Sequence, residues 1–121
     1  MGPIQHRFSP RLLCISAWCG IAVAGPAFAS SGTDGDIASI TQAGLANNAA
    51  ITQEGQYDSA SLSQTGSSNE AAILQSLAND QAAITQRGNS NFASITQTGG
   101  NDIASVIQSG NNNRVVITQH R

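Results

Sequence analysis

Catalysis, metal binding and disulfide formation each need particular side chains within reach of one another, and in this chain such side chains are few. The histidines are His6 and His120, the cysteines Cys14 and Cys19, and the carboxylates Asp34, Asp36, Glu54, Asp58, Glu70, Asp80 and Asp102. A nucleophile activated by a histidine and its orienting partner requires a constellation, and a structural zinc site needs four close nitrogen or sulfur ligands. One histidine near each end of the sequence supplies neither. Solenoid acyltransferases place a histidine in a groove between six-residue repeats, and this chain has neither feature. Asp36, Asp58, Asp80 and Asp102 recur at a constant interval, but one carboxylate per repeat falls short of the six to eight or so oxygens that calcium takes. Capping of turn amides is the role expected of them. The expectation is therefore a non-enzyme with no catalytic residue, metal ligand, cofactor or small-molecule substrate.

Residues 1–29 read as an export leader. Arg7 and Arg11 are basic, Leu12 to Ala24 is apolar, and Ala27-Phe28-Ala29 forms a small-residue cleavage site before Ser30, the three-part pattern of a secretory signal. The apolar run is shorter than the roughly 20 residues a spanning helix needs. Both cysteines fall in the leader, so the mature chain has no thiol to pair in an oxidising compartment. From Ser30 to Arg121 all seven carboxylates face only Arg87, Arg114 and Arg121, a formal charge of −4, and the sequence contains no lysine. Such a chain is a poor phosphate binder and is not expected to recognise nucleic acid.

The positions that could carry a function are set by a repeat. Glutamine stands at Gln42, Gln53, Gln64, Gln75, Gln86, Gln97, Gln108 and Gln119, always 11 residues apart. Two places later comes glycine, at Gly44, Gly55, Gly66, Gly88, Gly99 and Gly110, with Leu77 in the one remaining full unit. Four places before each glutamine is alanine, replaced once by Val115, and two places before it an aliphatic residue: Ile40, Ile51, Leu62, Ile73, Ile84, Ile95, Val106 and Ile117. Six places before it, aspartate alternates with Asn47, Asn69, Asn91 and Asn113, so the full period is 22 residues and four repeats span 36–57, 58–79, 80–101 and 102–121, after a short segment 30–35.

An 11-residue period also marks right-handed helical coiled coils. The glycines, at about 1 kcal/mol each in a helix, and the abundant β-branched, Asn and Asp residues argue against that. The A-x-I-x-Q alternation has the period of two of a strand. Glycine and Asn or Asp, which tolerate left-handed backbone, then turn the chain between strands. The predicted fold is all-β: a cross-β solenoid with two strands of six or seven residues per 22-residue turn and four turns stacked about 4.8 Å apart. Asn or Asp, Ala, the aliphatic residue and Gln face inward. Ser39, Thr41, Ala50, Thr52, Ser94 and Thr96 face outward. The core is thin for the conformational entropy it must offset, so ladders of Gln42 through Gln119 and of Asn47, Asn69, Asn91 and Asn113 must contribute. The ends are expected to be uncapped, and a terminal turn short of one neighbour favours adding another, either in a polymer or in a dimer that seals the edges.

These residues resemble the curlin family of bacterial amyloid subunits, whose repeat can be written S-x5-Q-x-G-x-x-N-x-A-x3-Q. Gln42-Ala-Gly44-Leu-Ala-Asn47-Asn-Ala49-Ala-Ile-Thr-Gln53 matches its Q-to-Q half, as do Gln64 to Gln75, Gln86 to Gln97 and, with Val115 for alanine, Gln108 to Gln119. The resemblance implies a secreted structural subunit, exported through the periplasm to a cell-surface fibre that serves adhesion and biofilm matrix. Its implied partners are itself, a second curlin subunit and an outer-membrane secretion apparatus. The family's leading serine is replaced by the aspartate column, and its N-terminal targeting segment is reduced to about six residues. The basic, β-branched unit Arg114 to Arg121 looks like that of the minor, nucleating subunit, and the major fibre subunit is the alternative.

Ice binding also uses flat, Thr-bearing solenoid faces. Here Thr41, Thr52, Thr85, Thr96 and Thr118 stand singly, interrupted by Ser63, Leu74 and Ile107; thermal hysteresis would reveal that activity. Outward Glu70, Phe92 and Arg114 share a column, and Leu74 and Leu77 form an apolar spot. The stacked carboxylates should repel one another and, being partly buried, titrate above the ordinary range, unless turn amides compensate.

Overall fold

The computed structural model describes residues 12–17, 27–30 and 35–120. His6, Arg7, Arg11, Cys19, Asp34 and Arg121, with most of the 30–35 segment, lie outside the described residues. Within them every regular element is a strand: β1 Leu12–Ala17, β2 Ala27–Ser30, β3 Ile37–Leu45, β4 Asn48–Gln56, β5 Ser59–Ser67, β6 Glu70–Ala78, β7 Gln81–Asn89, β8 Phe92–Gln97, β9 Ile103–Ser109 and β10 Arg114–Gln119. Odd strands form one parallel sheet in the order β1-β3-β5-β7-β9, and even strands the other, β2-β4-β6-β8-β10. Strands β3 to β10 form a β-solenoid of four turns, each turn contributing one strand to each sheet, and β1 and β2 add one strand apiece at its leading edge.

The repeat sets the register. Ile40 pairs with Leu62, Leu62 with Ile84 and Ile84 with Val106, while Ile51, Ile73, Ile95 and Ile117 do the same in the second sheet. Equal strand period and equal composition make this the one alignment in which every inward side chain meets its own kind. Ala38, Ile40, Ala49, Ile51 and their counterparts up to Val106 are buried between the sheets, with Ala29, Val115 and Ile117 packed at the margins. No helix among the described residues is long and apolar enough to cross a membrane.

β1 and β2 come from the segment expected to be cleaved, and they lie on the first turn of the repeat. β2 continues the 22-residue register, with Ala27 opposite Ala49, whereas β1 is offset, with Leu12 opposite Ile37. The expected cleavage residues Ala29 and Ser30 are in β2. At the other end β9 and β10 are the last strands of their sheets.

Two local expectations are corrected. Strands β3 to β7 have nine residues rather than six or seven, because parallel pairing continues past the glutamine and through the glycine, as in Gly44 opposite Gly66. The left-handed residue of each arc is also not the Asn or Asp but the one before it: Ala46, Ser68, Ser90 and Asn112 at φ 53 to 58°, and Tyr57, Asn79 and Asn101 at φ 60 to 63°. This leaves the Asn or Asp pointing inward, where its side chain bonds the arc.

Leu77 has φ 86° and is exposed. A branched side chain rarely adopts that backbone. Leu77→Gly should therefore stabilise the solenoid by about 1 kcal/mol, the relief of strain exceeding the entropy cost of glycine. A urea midpoint that stays put or falls would show that packing of Leu77 outweighs its strain.

Candidate functional site

Seven of the eight repeat glutamines are buried within the solenoid, and Gln119 is half-buried on the last strand. Their amides form two ladders of one direction. In the odd sheet Gln42 Nε2 donates to Gln64 Oε1 (2.9 Å), Gln64 to Gln86 (2.9 Å) and Gln86 to Gln108 (2.7 Å). In the even sheet Gln53 donates to Gln75 (3.1 Å), Gln75 to Gln97 (3.0 Å) and Gln97 to Gln119 (2.9 Å). The second N–H crosses the core to the opposite sheet: Gln53 to Ile37 O, Gln64 to Asn48 O, Gln75 to Ser59 O, Gln86 to Glu70 O and Gln97 to Gln81 O, at 2.9 to 3.3 Å. Each glutamine thus joins turn to turn and sheet to sheet, a role its spacing alone does not reveal.

The ladders are polar. At the leading end Gln53 Oε1 is buried without a hydrogen-bond partner. At the trailing end Gln108 and Gln119 donate to Phe92 O and Ile103 O, and their place as last members leaves the outward edge of each ladder on the donor side. One end therefore presents an acceptor where the other presents amide donors.

At one edge of the solenoid the asparagines complete the arcs. Asn69 Nδ2 donates to Asn47 Oδ1 (3.1 Å) and to Gly88 O of the next turn (2.9 Å), and is 3.4 Å from Thr65 O of its own arc. Asn47 and Asn91 likewise serve Gly66 O and Gly110 O at 3.0 and 2.8 Å. Their Oδ1 atoms accept the main-chain N–H of the next asparagine, 3.1 Å for Asn69 N to Asn47, 3.1 Å for Asn91 N to Asn69 and 3.0 Å for Asn113 N to Asn91.

The aspartates occupy the same place at the other edge. Asp36, Asp58 and Asp80 accept through Oδ1 the N–H of Asp58, Asp80 and Asp102 at 3.1, 3.0 and 2.9 Å. The turn-capping role is thus present. Burial is nearly complete, not partial, at 0 to 4 % exposure across the four residues. It pushes Asp58 up from the ordinary 3.8 to about 6; the Asp80 N–H opposes this, and the charges of Asp80 and Asp36 add to it. Asp80 is raised for the same leading reason, with the Asp102 N–H opposing and the Asp102 charge adding. Burial, not repulsion, is the principal cause.

The turn glycines divide into two sets. Gly44, Gly66, Gly88 and Gly110 have φ between 106 and 118°, whereas Gly55 and Gly99 are not in the positive-φ region. On the outer surface Glu70, Phe92 and Arg114 stand in one column, with the Arg114 guanidinium 4.3 Å from the Phe92 ring centre, a cation–π contact. Leu74 and Leu77 are both exposed, as are Ile103, Ile107 and Val116 on the last two strands. Among the described residues no group of three or more His, Cys, Asp or Glu side chains is arranged to hold a metal ion.

Comparison with known families matches the curlin associated repeat over residues 34–66 and again over 88–120, more than half of the chain. No curated protein matches the sequence significantly.

Proposed function

From the premise that the chain belongs to the curlin family, we propose that it is a structural subunit of an extracellular curli-type amyloid fibre, assembling by end-to-end stacking of solenoids. The observation that carries this reading is the polarity of the glutamine ladders. A buried acceptor at Gln53 Oε1 and amide donors on Gln108 and Gln119 at the far end are complementary when a second copy stacks in the same direction. Burying an unsatisfied amide oxygen costs about 1–3 kcal/mol, and a stacked copy removes that cost. Open parallel edges of β9 and β10 supply main-chain donors and acceptors to the same contact.

Within that function, residues 1–29 act as the export signal, cleaved between Ala29 and Ser30. Its removal takes β1 and most of β2 from the first turn and opens β3 and β4 as the second growing edge. The subunit passes through the periplasm and an outer-membrane apparatus to the cell surface, where the fibre serves adhesion and biofilm matrix. The exposed Val116 and the basic Arg114 on edge strand β10 favour the minor, nucleating role, in which this strand templates a second curlin subunit. The major fibre subunit is the second reading.

Freshly prepared Ser30–Arg121 should be largely disordered and convert to β-sheet after a lag that preformed seeds abolish, because the thin core of one copy does not offset the entropy of ordering it. Circular dichroism with and without seeds tests this. A monomer with a cooperative β-fold at high dilution and no conversion would refute the assembly reading. Acceleration of a partner subunit by substoichiometric amounts of this chain separates the nucleating role from the major one.

A further inference from the structure

The two edges of the solenoid are built from side chains of one shape and opposite hydrogen-bonding character. On the asparagine edge Nδ2 donates to the carbonyl 19 residues ahead and approaches the one four residues behind. On the aspartate edge the atom in that position is Oδ2. The Oδ2 atoms of Asp36, Asp58 and Asp80 are buried and have no hydrogen-bond partner. Around Gly55 the conflict is visible: a Cβ built there would collide with the Leu77 carbonyl and lie 2.7 Å from Asp58 Oδ2. Two acceptors approach each other there, and Asp58 Oδ2 meets no donor.

Among the described residues of these arcs no cation offsets them. The arc residues Glu54 to Tyr57, Ser76 to Asn79 and Thr98 to Asn101 include no lysine, arginine or histidine. The titratable groups facing the column are its own carboxylates, Asp36, Asp58, Asp80 and Asp102. Glu54 and Tyr57 are exposed on the arc, and exposed His120 contacts Thr98 Oγ1 at 2.8 Å. Glu70, Arg87 and Arg114 adjoin the asparagine edge instead.

We propose that the aspartate edge is a proton-loaded latch: the stacked solenoid takes up protons from solvent on Oδ2 of Asp58 and Asp80, which then donate to main-chain carbonyls as asparagine does on the other edge. By the same 19-residue offset the acceptors are the carbonyls of Leu77 and Gly99. Protonation turns each repulsive oxygen pair into a hydrogen bond and removes a buried charge; ionisation reverses both. The sign follows from proton binding. Burial raises Asp58 to about 6 and raises Asp80 in the same direction, so the stacked state holds these two protons more tightly than the unfolded chain; the Asp58 contribution is complete below about pH 4, declines as pH rises through about 6 and is absent above. Fibres bearing this edge are consequently tightest in acid and loosen towards neutrality.

The proposal deepens the assembly reading and uses it for its first readout. Fibres of the natural chain and of a variant carrying Asp58→Asn and Asp80→Asn are equilibrated at about pH 4 and about pH 7, and the residual soluble concentration is measured. Between these pH values the natural chain should lose up to about 100-fold in stacking affinity through Asp58 alone, the ratio implied by a rise from 3.8 to about 6, with a further loss through Asp80. The variant should change little and should hold more tightly than the natural chain at about pH 7. Infrared spectra of natural fibres at about pH 5 should carry a stronger C=O band of protonated carboxyl than those of the variant. An equal pH response in the two proteins, or no protonated carboxyl in natural fibres, would overturn the latch. So would recovery of the neutral-pH loss by calcium in the natural chain alone, since that would make the column a cation site. Single Asp80→Asn, with part of the change, guards against misfolding of the double variant. If neither protein polymerises at any pH, the assembly reading fails, and the pH dependence of thermal unfolding of the two monomers decides the latch in its place.

Discussion

Replacing Gln75 by leucine should destabilise the stack by about 3–6 kcal/mol, whereas Ser61→Ala on the outer face should cost less than about 0.5 kcal/mol. Leucine approximates the volume of glutamine, so the loss is one of hydrogen bonds and not of packing. Gln75 accepts from Gln53 Nε2, donates to Gln97 Oε1 and donates across the core to Ser59 O at 3.1, 3.0 and 3.3 Å. Without it a donor in the turn before, an acceptor in the turn after and a carbonyl of the opposite sheet are all left in a water-excluded interior. Each costs about 1–3 kcal/mol, which together is a large fraction of the roughly 5–15 kcal/mol of an ordinary domain. Urea titration of the assembled protein measures it, the midpoint reporting stability if the slope is unchanged. Equal midpoints for Gln75→Leu and Ser61→Ala would mean that the amide ladders do not hold the stack.

Gly66→Ala should be worse tolerated than Gly110→Ala, although the two glycines hold equivalent places in the repeat. Both have φ far into the region that L side chains avoid, 118° and 106°, so each substitution incurs backbone strain of about 1–3 kcal/mol. At Gly110 the new methyl meets only Asn113 Nδ2 at 3.5 Å, an ordinary contact. At Gly66 it would drive into the Gly88 carbonyl of the next turn, with the Gly88 carbon at 2.9 Å. The turns must part there, and the Asn69 Nδ2 to Gly88 O bond of 2.9 Å parts with them. A total of about 3 kcal/mol or more is expected, against about 1–3 for Gly110. Thermal unfolding of the two variants side by side isolates the collision from the strain. If they lose the same amount, close approach of successive turns is not what selects glycine.

The architecture was legible because a β-solenoid maps sequence onto space almost linearly. A strand repeats its facing every two residues and the chain returns to the same place every 22, so position in the repeat specifies height, sheet and side. Ile40, Leu62 and Ile84 could be placed above one another without a coordinate, and so could Gln42, Gln64 and Gln86. The inward faces, the two-sheet arrangement and the curlin resemblance all rest on that regularity.

What remained hidden is how main-chain atoms meet between turns. The pattern Q-x-G-x-x-[N/D] reads alike in both arcs, yet Gly44 and Gly66 adopt positive φ and Gly55 does not, while the left-handed residue is Ala46 or Tyr57 and not the Asn or Asp after it. The glutamine amides also reach strand starts of the opposite sheet, 16 residues earlier. Composition determined which side chains face inward, because burial and period act on single residues. Only the tertiary structure decided that asparagine is satisfied on one edge while Oδ2 of Asp36, Asp58 and Asp80 meets no donor on the other, because a hydrogen bond depends on which atoms of neighbouring turns converge on one place.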